Sequence, residues 1–168
     1  MNTKLYDLAK KVGLILKEKK LFVVTAESCS GGLLAAALTD VPGSSAYFER
    51  GFITYSNIAK QGVLGVHSET LERFGAVSVE VAKEMAEGAL RNSHAQIGVA
   101  ITGIAGPDGG TKEKPVGSVC VAWMHLGLST KTAKVHFDGD RAAIRMQAVE
   151  FALEGLLVGV IDFNCNLG

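Results

Sequence analysis

The sequence predicts an α/β protein, a three-layer α/β/α sandwich with a mixed sheet, and three observations carry that expectation. Apolar runs at 21–26 and 97–102 have the length of buried strands, and each empties into a glycine-rich loop. Helical periodicity over 3–19, 79–91 and 141–157 supplies elements long enough to cover a sheet. Two β-rich runs, 116–124 and 130–137, are joined by a short connection containing Gly127, the pattern of a hairpin, and so make the sheet mixed.

Each element follows from its residues. Leu5, Leu8, Val12, Ile15 and Leu16 recur at three- and four-residue steps among lysines, which predicts an amphipathic helix over 3–19 packed on the sheet edge. Strand 21–26 and helix 31–39 follow, and Asp40-Val41-Pro42-Gly43-Ser44-Ser45 is a turn-rich loop before a second strand at 51–55. Ser56-Asn57 caps a short helix carrying Lys60, another helical turn falls at 68–74, and Ser78 caps 79–91, where Val81, Met85 and Leu90 face inward. Gly139-Asp140 opens the last helix, 141–157, before a polar tail ending Asn166-Leu167-Gly168.

A chain of 168 residues, 48% hydrophobic and 20% charged, suits one buried core, read as a single domain over 1–168. Lys+Arg and Asp+Glu both number 17, so no net field attracts nucleic acid or an anionic membrane, and an anion site must be local. Cys29, Cys120 and Cys165 form no C-x-x-C pair, which argues against a disulfide framework or structural zinc and fits a reducing cytoplasm. No run approaches a membrane span, and no signal peptide is visible. His67, His94, His125 and His136 lie at no metal-ligand spacing and read as surface or edge residues, so no metal is expected.

The chemistry centres on Thr25-Ala26-Glu27-Ser28-Cys29-Ser30-Gly31-Gly32, a strand, tight turn and helix start. Ser28 is placed to attack a carbonyl, and N–H groups near Ser30, Gly31 and Gly32 to hold its oxyanion. The plainer reading is that Glu27, Ser28 and Ser30 only cap the helix. Cys29 is a minor alternative nucleophile, although a lone cysteine is more commonly a small buried thiol. With no histidine in a catalytic context, Lys60 is the candidate base, provided that burial or a cation lowers its pKa, and Tyr55 could relay or hold a proton. The glycine-rich loop with Gly103 and Gly106 matches neither G-x-G-x-x-G nor a P-loop, since Gly109-Gly110-Thr111-Lys112 reverses the order a P-loop needs. Arg141 and Arg145, one turn apart at a helix start, could meet a phosphate, Arg145 being the weaker candidate.

The combination of Thr25-Ala26-Glu27-Ser28 with Ser30-Gly31-Gly32, Pro42-Gly43-Ser44-Ser45, Tyr55-Ser56-Asn57 with Lys60, Gly75-Ala76-Val77-Ser78, residues 102–110, Pro115-Val116-Gly117 and Gly139-Asp140-Arg141 resembles the CinA C-terminal domain family of nicotinamide-nucleotide amidohydrolases. The likeness runs unbroken from about residue 5 to 155. It implies hydrolysis of nicotinamide mononucleotide to nicotinic acid mononucleotide and ammonia, in pyridine-nucleotide recycling. It also implies a serine/lysine mechanism without metal or cofactor, with Ser28 as nucleophile, Lys60 as base and Tyr55 assisting, and with Thr102 and Arg141 among further active-site residues. Ser30 stands where threonine is more usual, with the hydroxyl kept. Larger CinA proteins carry an additional N-terminal domain, for which this chain has no room. The expectation is a cytoplasmic enzyme, a homo-oligomer (dimer) acting on a small molecule. The rival is a non-catalytic nucleotide-binding or regulatory module of the same family.

Overall fold

Strand β1 (Val23–Glu27) is buried at every residue because it is paired on both edges. It runs parallel to β2 (Phe48–Ile53) on one side and to β3 (Ile97–Gly103) on the other. The antiparallel strands β4 (Ser118–His125) and β5 (Lys131–His136) complete the sheet, which is therefore mixed, in the order β2-β1-β3-β4-β5. These details come from a computed structural model that describes residues 2–163; Cys165 and the tail ending Asn166-Leu167-Gly168 lie outside the described residues.

Successive strand side chains point to opposite faces, so Val23 and Val24 enter different cores. On one face lie α1 (Thr3–Lys19), α2 (Leu33–Thr39) and α6 (Arg141–Asp162), packed over Ile97, Val99, Val121 and Trp123. On the other lie α3 (Asn57–Leu64), α4 (Ser68–Phe74) and α5 (Val79–Arg91), over Ala26, Ala100 and Ala122. The small residues of the second face let α5 sit close. Its Gly88 accepts the end of α3 so tightly that an added Cβ would lie 1.9 Å from the Leu64 carbonyl oxygen. That contact fixes α3, and with it Lys60, against the sheet. Val81, Met85 and Leu90 are buried, as their spacing predicts.

Several expectations shift. Helix α1 lies alongside α6 and α2 in the helical layer, not on a sheet edge, because its stripe of Leu5, Ala9, Val12 and Leu16 finds a fuller apolar surface there. The second strand spans 48–53 instead of 51–55: the parallel register with β1 runs out at Ile53 opposite Glu27. Thr54 and Tyr55 therefore turn out of the sheet, which frees their carbonyls. Helix α6 continues to Asp162, since Leu156 and Val160 still face the core. His67, His94 and His136 are exposed, whereas His125 is buried, its ring edge-on to Phe163 at 4.8 Å between centroids. Among the described residues no helix is long and apolar enough to cross a membrane.

Candidate active site

Glu27 ends β1 fully buried, and its carboxylate organises the turn that leads into α2. Oε2 accepts from the Ser30 hydroxyl at 2.7 Å and from the Gly32 and Leu34 N–H groups at 3.1 and 3.0 Å, and Oε1 accepts from the Ala35 N–H at 2.8 Å. Gly32, the N-cap of α2, has no side chain to offer, so the strand delivers the cap instead. Burying a carboxylate costs several kcal/mol, which hydrogen bonds to a charged acceptor, about 1.5–3 kcal/mol each, can offset.

Gly31 and Gly32 adopt φ of 59° and 100°, the left-handed region that lets the chain double back directly after Ser28. The Gly31 N–H donates to the Ser28 carbonyl at 3.0 Å. The oxyanion donors expected around Ser30, Gly31 and Gly32 are thereby redistributed. Gly31 and Gly32 have given their N–H groups to the turn and to Glu27, while among the described residues the Ser30 N–H has no acceptor and the Cys29 N–H none beyond its own sulfur. Both residues are buried, and buried unpaired N–H groups are rare.

Lys60 reaches this turn from α3. It is 2% exposed, and its Nζ lies 3.0 Å from Ser28 Oγ, 3.2 Å from the Thr54 carbonyl oxygen and 3.4 Å from that of Tyr55. Two carbonyls and one hydroxyl surround the amine: in its neutral form two N–H groups would donate to the carbonyls and the lone pair would face the serine. Burial pushes the Lys60 pKa below its ordinary value, the Coulombic influence of Cys29 being smaller and opposite in sign. Burial also pushes the Cys29 thiol up to about 11, so the sulfur stays protonated and is poorly suited to attack.

A cleft of 170 Å³ opens over Ser28 and Lys60, walled by Tyr55, Thr102, Gly103 and Arg141. Cys29, Asn57, Ala76, Val77 and Ala105 complete the wall. Of these, the sequence points to Asn57 as part of a helix cap and of a family motif, and to Ala76, Val77 and Ala105 only as parts of family motifs. Thr102 is buried, and its hydroxyl donates to the Ala76 carbonyl at 2.9 Å, which fastens that side of the cleft. Arg141 bridges two elements, donating to the Gly106 carbonyl and to the Tyr55 hydroxyl, each at 2.8 Å. Gly31, Gly32, Gly106 and Arg145 do not line the cleft, and neither does Ser30, whose N–H belongs to the peptide it shares with Cys29, which does. Arg145 instead donates to the carbonyls of Cys29 and Ser30 at 3.0 and 3.1 Å. Among the described residues no three His, Cys, Asp or Glu side chains converge. A larger cavity of 280 Å³ beside α1, with Tyr6, Lys10, Leu14 and Lys17 on its wall, lies away from this chemistry.

Residues 5–159 match the CinA C-terminal domain. The chain belongs to that family. It is 51% identical over 154 residues to the nicotinamide-nucleotide amidohydrolase PncC of Enterobacter agglomerans, covering 92% of this chain and 94% of that one. It is 50% identical over 155 residues to the protein of the same name from Escherichia coli K12, with the same coverage. The crystal structure of the competence/damage inducible protein CihA from Agrobacterium tumefaciens superposes with a TM-score of 0.93 at 45% identity, covering 96% of this chain and 98% of that one. The CinA fold and the order of its motifs therefore extend over nearly the whole chain.

Proposed function

We propose that this member of the CinA family hydrolyses the carboxamide of nicotinamide mononucleotide, giving nicotinic acid mononucleotide and ammonia in pyridine-nucleotide recycling. The observation that carries the reading is the 3.0 Å approach of a buried lysine amine, its pKa lowered by burial, to Ser28 Oγ. In that geometry the Ser28 oxygen attacks the amide carbon as its proton passes to Lys60 Nζ. The carbonyl oxygen takes up negative charge between the N–H groups of Cys29 and Ser30. Collapse breaks the C–N bond, the proton on Lys60 goes to the departing nitrogen directly or through Tyr55, and ammonia leaves. Water then attacks the acyl-enzyme, giving its proton to Lys60, and Ser28 is released.

Arg141 is the group we assign to the 5′-phosphate, since it is exposed at the cleft mouth and carries a fixed charge. Thr102 and Gly103 line the same cleft. Residues 1–168 act in this reading as one cytoplasmic amidohydrolase unit, assembled as a homodimer. The test is ammonia release from nicotinamide mononucleotide by purified protein, with and without a chelator, beside Ser28→Ala. Turnover that resists chelation and disappears in the variant supports the reading. Binding without turnover would instead identify a regulatory nucleotide-binding module.

A further inference from the structure

We propose that Arg145 is a positioning residue for acyl transfer: it grips the Cys29 and Ser30 carbonyls from behind and so aims the N–H groups of the turn at the oxyanion formed on the Ser28 adduct. This rests on the nucleophilic role of Ser28 proposed for the amidohydrolase reaction. The carbonyl of Cys29 and the N–H of Ser30 belong to one planar peptide, in which the two groups point in opposite directions. With that carbonyl held by Arg145 Nε at 3.0 Å, the Ser30 N–H is turned away from α6. A charged donor on the carbonyl also polarises the peptide and strengthens its N–H as a donor. The second contact, 3.1 Å to the Ser30 carbonyl, fixes the next peptide, whose Gly31 N–H closes the turn onto Ser28.

The packing leaves this arrangement little freedom. A Cβ added at Gly31 would lie 3.1 Å from the guanidinium, so the turn rests directly on Arg145. Glu27 holds the Ser30 hydroxyl and the Gly32 N–H of the same turn, and the Leu34 and Ala35 N–H groups of α2 just beyond it. With the two charged side chains accounting for the other polar groups, the Ser30 N–H is left unclaimed and the Cys29 N–H meets only its own sulfur, both next to the nucleophile in the chain.

The test compares wild type, Arg145→Ala and Arg145→Lys in two assays: turnover of nicotinamide mononucleotide and of its riboside, and acylation of Ser28 by p-nitrophenyl acetate. Arg145→Ala should lose on the order of 10²-fold in kcat on both amides and in acylation rate, with KM little changed, the loss expected of misaligned oxyanion donors. Guanidinium ion, added well below unfolding concentrations, should restore part of that rate in Arg145→Ala and none in Ser28→Ala. Arg145→Lys, a point charge that cannot fork across two carbonyls, should remain about tenfold impaired. If Arg145→Ala does not hold its fold, Arg145→Lys carries the test, and wild-type acylation in it overturns the proposal. A loss confined to the nucleotide, with the riboside and ester spared, also overturns it and makes Arg145 a phosphate ligand. A wild type that is acylated by the ester but inert toward both amides removes the proposed substrate while the ester rates still decide the role of Arg145. A wild type inert to all three overturns both readings.

Discussion

The turn over residues 28–32 and the loop over residues 103–117 both follow a buried strand and both depend on glycine, yet they are held in different ways. In the first, Glu27 and Arg145 bind backbone or hydroxyl groups of the residues that follow Ser28, and Ser28, Cys29 and Ser30 are all buried. In the second, residues 107–113 face solvent, and the ties are spread over a longer and more exposed stretch. Arg141 holds the Gly106 carbonyl, Lys114 reaches the Phe74 carbonyl, and the Thr111 hydroxyl accepts from the Lys114 N–H. Reaction geometry tolerates little displacement, whereas a loop that admits and releases a ligand must be able to yield. On the function proposed here, bond making belongs to the first loop and selectivity to the second.

The largest expected effect is at the Ser28–Lys60 pair. Lys60→Met should abolish turnover, as should Ser28→Ala, in the ammonia assay. Lys60→Met should also leave thermal stability at neutral pH equal to or above that of wild type, because it removes a buried amine whose charged form is disfavoured. The sign comes from the lowered pKa. The unfolded chain holds the proton that the folded chain gives up, so the contribution of Lys60 to stability rises with pH between its folded-state pKa and the ordinary value of 10.5. Denaturation midpoints across that range should climb in wild type relative to Lys60→Met. In wild type kcat/KM should rise with pH along a limb whose midpoint lies below 10.5, since only the free amine can take the Ser28 proton.

A smaller effect would sharpen the contrast between the loops. Glu27→Gln removes the charge and replaces one acceptor oxygen with a donor facing N–H groups, and should lower unfolding free energy by about 3 kcal/mol in urea titrations. Turnover should fall with it, because the cap of α2 and the Ser28 turn share that carboxylate.

Arg141→Ala comes next. If its charge meets the phosphate, kcat/KM for nicotinamide mononucleotide should fall by about 2 kcal/mol, roughly thirtyfold, while the slow reaction on the riboside is largely spared. An equal loss on both substrates would instead trace its contribution to the Tyr55 hydroxyl that it holds at 2.8 Å. At the small end, Lys114→Ala in the open loop should change stability by no more than about 1 kcal/mol, measured as a shift in Tm, because its hydrogen bond to Phe74 is only part-buried.

Much of this was legible in the residues themselves. Local rules gave the strand, turn and helix around Ser28, the Ser56 and Ser78 caps and the β4–β5 hairpin, because spacing, glycine and capping chemistry act over a few residues. The family strings named Ser28, Tyr55 and Lys60 together without any distance between them. Tertiary structure alone decided which polar groups near Ser28 were already taken. Glu27 and Arg145 read in the sequence as a helix cap and a possible phosphate ligand, and only the fold brings Arg145 across 115 residues onto the Ser30 carbonyl. The position of β2 was decided in the same way: where it ends depends on register against β1, and that register releases the Thr54 and Tyr55 carbonyls to Lys60. Hydrogen-bond donors and burial are allotted among all neighbours at once, so a chain can announce its reactive residues locally while their protonation and aim are set by contacts distant in sequence.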